Sequence, residues 1–100
     1  MIVVITGGSK GIGKNITKNL LKNNIKVINI SRSKCSLRNV TNYKCDISDF
    51  KEVKKVFKKI NNFDVLINNS GISEFDNNNI NRKIEVQIKG ERKKIFTDET

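Results

Sequence analysis

Three glycines at positions 7, 11 and 13, set in Thr6-Gly7-Gly8-Ser9-Lys10-Gly11-Ile12-Gly13, are the residues whose type and spacing bear most directly on chemistry. Without a Cβ, a strand-to-helix turn can bend tightly and let a ligand approach the backbone N–H groups at the helix start. Those groups point outward and the helix dipole there favours negative charge, so the chemistry is recognition of an anion such as a pyrophosphate. The spacing is G-x-x-x-G-x-G, not G-x-G-x-x-G, and the Gly-Lys-Ser/Thr ending of a P-loop is missing, which argues against a nucleoside triphosphatase. Cys35 and Cys45 stand ten residues apart with no His in the chain. That is neither a redox pair nor a zinc-ligand array, so two reduced structural thiols and no metal site are expected.

The elements that must position the turn follow from hydrophobic periodicity. Ile2-Val3-Val4-Ile5 is a continuous β-branched run stopped by glycines, as in a strand buried on both faces of a parallel sheet. Ile12, Ile16, Leu20 and Leu21 then recur at helical spacing up to Asn23-Asn24, a pair suited to a helix C-terminus. Residues 25–30 read as a second strand and 40–45 as a short third one. Ser48 or Asp49 can cap a second helix, with Glu52 in its first turn and an apolar stripe of Val53, Val56, Phe57 and Ile60. A fourth strand over 63–67 leads into Asn68-Asn69-Ser70-Gly71. The alternation predicts an α/β fold, a Rossmann-like, doubly wound parallel sheet of about four strands with flanking helices. Residues 1–75 form this half domain, and 76–100 are a poorly defined C-terminal segment. Within that segment Ile80, Ile84 and Ile88 fit a helix while Ile84, Val86 and Ile88 fit a strand equally well.

One hundred residues make one domain at most, with a small core. Twenty Lys plus Arg against ten Asp plus Glu give a formal charge of +10, which raises nucleic acid as a partner. The Lys residues are spread along helix faces without the aromatic interleaving that single-strand binders use for stacking, so nucleic acid is not the expected partner. Met1 leads straight into a strand-like run and the longest apolar stretches are about five residues, against about twenty for a bilayer span. No membrane association and a cytoplasmic location are the expectations.

The three segments Thr6 to Gly13, Cys45-Asp46-Ile47-Ser48 and Asn68-Asn69-Ser70-Gly71 together resemble the successive cofactor signatures of the short-chain dehydrogenase/reductase family, in order and at about its spacing. The resemblance implies an oxidoreductase that takes a nicotinamide dinucleotide. It places Gly7, Ser9, Gly11, Ile12 and Gly13 around the pyrophosphate, Asp46 on the adenine amino group and Ile47 on the ring face. It sets Asn68, Ser70 and Gly71 beside the nicotinamide-side ribose. An ordinary loop carboxylate capping a helix is the other reading of Asp46. In this family an acid at the end of the second strand favours NAD(H). Here Ser31 and Arg32 stand there and Lys10 lies in the glycine turn, so NADP(H) is expected over NAD(H), Arg32 gripping a phosphate with its planar fork.

The family's catalytic Ser and Tyr-x-x-x-Lys have no counterpart: Tyr43 is the only Tyr and Ile47 stands four residues after it. Val86-Gln87-Ile88-Lys89-Gly90 resembles the family's V-N-L-x-G segment with Gln87 in place of Asn. The chain is therefore expected to be a truncated, N-terminal part of a short-chain reductase, binding cofactor but inactive alone, with no catalytic residue assigned. A non-catalytic cofactor-binding or docking module is the alternative. The family's strand order would leave Val65, Leu66 and Ile67 on an unpaired edge, which predicts self-association or a partner through an exposed fourth strand.

Overall fold

The computed structural model describes residues 1–60, 62–69, 81–88 and 91–98. In chain order the elements are β1 (Ile2–Thr6), α1 (Gly11–Lys22), β2 (Lys26–Ser31), β3 (Val40–Lys44), α2 (Phe50–Lys59), β4 (Val65–Asn68), β5 (Asn81–Ile88) and β6 (Glu91–Asp98). They form one sheet in the order β3-β2-β1-β4-β5-β6. β1 pairs in parallel with β2 and β4, and β2 in parallel with β3.

The run of β-branched residues in β1 is explained by its central place. Successive strand side chains point to opposite faces. Val3 and Ile5 therefore enter one core with Ile12, Ile16, Leu20 and Leu21 of α1, and Val4 enters a second with Val53, Val56, Phe57 and the nearby Ile60. Each helix covers one face, so both faces of β1 are apolar and the doubly wound architecture is established. α1 ends where expected. The N–H groups of Asn23 and Asn24 donate to the carbonyls of Leu20 and Leu21, each at 3.1 Å, and Asn24 takes a left-handed φ of 59° that Asn tolerates.

β4 differs from expectation. β5 lies antiparallel against it, pairing Val65 with Ile88, Leu66 with Gln87, Ile67 with Val86 and Asn68 with Glu85, and β6 returns antiparallel to β5. The two-residue period of Ile84, Val86 and Ile88 prevails over the helical one because the open ladder of β4 supplies partners that a helix there would leave unpaired. β4 is thus an interior strand, and self-association or docking through an exposed fourth strand loses its structural basis. Among the described residues no helix is long and apolar enough to cross a membrane.

The centre of the sheet carries the stability. Ile5, fully buried between β2, β4 and α1, should cost about 2–5 kcal/mol when cut to Ala. Urea unfolding followed by circular dichroism measures this, and a loss below about 1 kcal/mol would contradict the placement of the core.

Candidate functional site

The chain runs from β1 to β2 and β3 on one side, then returns to place β4 on the other side of β1. The C-terminal ends of β1 and β4 thereby meet at the point where the strand order reverses, where open α/β sheets bind ligands. The glycine turn follows β1 and the Asn68-Asn69 pair follows β4. They are joined directly. Thr6 Oγ1 donates to Asn68 Oδ1 at 3.0 Å and accepts the Asn69 N–H at 3.0 Å, while Asn69 Nδ2 donates to the Gly7 carbonyl at 3.2 Å. Gly7, at φ 69°, anchors the other side by donating its N–H to the Ile30 carbonyl at 3.0 Å.

α1 starts hard against this clasp. A Cβ on Gly13 would lie 2.0 Å from the Gly7 carbonyl oxygen and 2.5 Å from Asn69 Nδ2, so no side chain fits. The first turn of a helix leaves its N–H groups without intrahelical acceptors. In α2 they are served: Asp49 accepts from the N–H groups of Lys51 and Glu52 at 3.0 and 3.4 Å, and Glu52 adds a favourable charge. In α1 the N-cap is Lys10, whose side chain makes no capping bond, and the first turn holds no acid. Of the two described helices, α2 thus has its start served by its own acidic side chains, and α1 has no side chain serving its first N–H groups.

The remaining sequence-predicted residues lie at several places around the turn. Gly11, at φ 53°, and Ile12 open α1 beside Gly13, with Ile12 anchored in the core. Ser9 faces the loop after β2, its hydroxyl 2.7 Å from that of Ser33, and Lys10 is exposed. Ser31 is buried, accepting from Asn29 Nδ2 at 2.9 Å and donating to the Ser33 carbonyl. Arg32 points across to Asp46, its Nη2 3.3 Å from Oδ1. Ile47 is partly buried, packed against the core under α2. Asn68 is exposed beside Thr6, and Ser70 and Gly71 lie outside the described residues.

Asp46 does not cap α2, since Asp49 holds that place. Its Oδ1 accepts the Ser48 hydroxyl at 2.7 Å and the Ser48 N–H at 3.0 Å, closing the turn into the helix. These two bonds, followed by the Arg32 charge, hold its carboxyl below the usual carboxylate range. It is therefore a fixed anion at neutral pH. Arg32, Ser33 and Lys34 on the loop after β2, together with Ser31, Asn42, Tyr43 and Lys44, line a concavity of about 350 Å³.

Two residues are central here although the sequence analysis gave neither a role of its own, Asn69 entering only as part of the Asn68-Asn69-Ser70-Gly71 segment. Asn69 is 7% exposed and its Oδ1 is buried without a hydrogen-bond partner, an acceptor awaiting a donor. Asn29, in the middle of β2, receives the Gly8 N–H on its Oδ1 at 2.8 Å. The doubling of Asn at 68 and 69 was the available signal for the first, but the sequence does not say which of the two turns inward.

Comparison with known proteins agrees with this fold. Residues 1–92 match the family model described as short chain dehydrogenase. A 3-oxoacyl-(acyl-carrier-protein) reductase of Buchnera aphidicola is 35% identical over 91 residues, which cover 79% of this chain and 37% of that protein. A solved short chain dehydrogenase family protein from Francisella tularensis superposes with a TM-score of 0.57 at 35% identity, over 63% of this chain and 27% of that one. A short chain dehydrogenase from Leptospira borgpetersenii, solved with bound NAD+, gives 0.55 at 28% identity, over 59% and 25% of the two chains. The chain thus spans a quarter to two fifths of the length of these relatives.

The turn at Asp46 can be tested by titration. Ser48→Ala removes the stronger of the bonds that depress this carboxyl, so its NMR-monitored midpoint should rise toward the ordinary Asp value, and Arg32→Ala should raise it less. A depressed folded-state value means that the group's contribution is present above the unfolded-state value and fades as pH falls through the folded one. An unchanged midpoint in Ser48→Ala would contradict the geometry.

Proposed function

The chain belongs to the short-chain dehydrogenase family, and from that membership we propose that it is the cofactor-binding part of an oxidoreductase that uses NADP(H). The observation that carries this reading is the uncapped start of α1 facing the clasp between Gly7 and Asn69. The N–H groups of Gly11, Ile12 and Gly13 would take the pyrophosphate, with Lys10 adding positive charge. Asn69 Oδ1, buried and unpaired, suits a ribose hydroxyl as donor. A nicotinamide cofactor, when bound, supplies or accepts a hydride.

Asp46, ionised and held in place by Ser48, can accept the adenine amino group, and Ile47 can back the ring. Asn68, with Ser70 and Gly71 after it, would flank the nicotinamide-side ribose. The choice of NADP(H) over NAD(H) is supported by the end of β2, which carries Ser31, Arg32, Ser33 and Lys34 and no acid, with Lys44 across from it. Arg32 is 77% exposed, so its pairing with Asp46 is open to water and exchanges readily for a phosphate. Neither Tyr-x-x-x-Lys nor a Tyr beyond residue 43 occurs in these hundred residues. They bind cofactor without reducing a carbonyl themselves.

Isothermal titration of the purified chain with NADPH should show saturable one-to-one binding and no turnover with carbonyl compounds. Gly13→Ala, which drives α1 away from the clasp, should weaken binding at least about tenfold, or 1.4 kcal/mol. A folded chain that ignores millimolar NADPH would overturn the reading.

A further inference from the structure

Asn29 lies in the interior of β2 and is 1% exposed, on the face that packs against α1. Its neighbours on that face of the sheet include Val27 and Ile5, and a Val or Ile would continue the apolar surface without loss. A buried amide costs about 1–3 kcal/mol unless its groups are paired. Here they are. Oδ1 accepts the Gly8 N–H at 2.8 Å, and Nδ2 donates to Ser31 Oγ at 2.9 Å and to Asn42 Oδ1 at 3.0 Å.

Each partner leads onward. Ser31 Oγ donates to the Ser33 carbonyl, and the Ser33 hydroxyl bonds that of Ser9, which returns the path to the glycine turn. Asn42 Oδ1 also accepts the Cys35 N–H at 2.9 Å, and its Nδ2 donates to the Cys35 carbonyl at 3.3 Å. The first half of the loop after β2 is thereby tied at Ser33 and at Cys35, through Ser31 and Asn42, to one side chain. That side chain also holds the glycine turn. A satisfied buried network of this kind rigidifies what it joins.

Resting on the NADP(H) reading above, we propose that Asn29 is a positioning residue that sets the preference for an adenosine 2′-phosphate without touching the cofactor. It fixes the distance between the pyrophosphate-binding turn at Gly8 and the loop that presents Arg32 and Lys34 to the concavity beside Lys44. With the bridge intact, turn and loop form one body, and a dinucleotide seated on α1 brings its 2′-phosphate into register with the cations. Without it the loop is free to drift, and the cations lose their fixed position. Affinity for the part of the cofactor common to NADH and NADPH is retained far better than the discrimination between them.

The test is the ratio of dissociation constants for NADH and NADPH, measured on the full chain, with ADP as a probe of the cradle alone. Asn29→Val should lower the ratio about fivefold or more while changing ADP affinity less than about threefold. Asn42→Ala, which keeps the bonds of Asn29 to Gly8 and Ser31 but frees the loop at Cys35, should lower the ratio by a smaller factor, and it carries the test if Asn29→Val does not fold. A purely structural role would lower the melting midpoint and all three affinities together and leave the ratio fixed. That result in a folded variant overturns the proposal. A wild-type chain that binds both dinucleotides equally would instead remove the cofactor preference itself, and the proposal with it.

Discussion

The whole binding end of this molecule depends on the close approach of α1 to the Gly7 carbonyl, which the missing side chain of Gly13 permits. Asn69 reaches over the same spot to hold that carbonyl, and Thr6 receives the Asn69 N–H from below. These contacts lie 62 and 63 residues apart in sequence. They exist because the parallel sheet places β4 beside β1 with both strands ending at the same level. A single methyl group at position 13 would separate the helix start from the strand ends, and the proposed anion site would lose its shape before any charge was altered.

Electrostatics reinforce the geometry. α1 carries Lys14, Lys18 and Lys22 at four-residue spacing and no acid, an arrangement that disfavours an isolated helix by a few tenths of a kcal/mol per like-charged pair. Lys22 at the C-terminal end suits the dipole, whereas Lys10 at the N-terminal end opposes it. The helix persists because Ile12, Ile16, Leu20 and Leu21 are packed on the sheet. An anion at its start would offset both the repulsion and the dipole, and binding of this sort stabilises the folded state by mass action. α2, with Asp49 and Glu52 at its start, has no such need.

Much of this was readable in the sequence. The glycine turn, the central strand and the two helices announce themselves through local spacing, because a strand buried on both faces and a helix packed on one each leave a distinct apolar period. β5 was ambiguous for a physical reason: its apolar residues satisfy two periods, and only the open ladder of β4 decides between them. Asn29 was invisible because a lone Asn in a strand is polar in either setting, and at Asn68-Asn69 the sequence does not say which of the two turns inward. Whether such an Asn is buried depends on partners such as the Gly8 N–H, 21 residues away, or the Gly7 carbonyl. Arg32 could be recognised as a cation but not as the partner of Asp46, since that pairing arises only when β2 and β3 lie side by side.

If the proposed function holds, α1 and not α2 keeps its first N–H groups for an anion. Amide NMR spectra of the isotopically labelled chain, recorded while ADP is added, test it most directly. Saturable shifts are expected at Gly11, Ile12 and Gly13, with Lys51 and Glu52, already held by Asp49, unmoved. Shifts spread evenly over both helix starts, or confined to the Lys-rich faces, would contradict it.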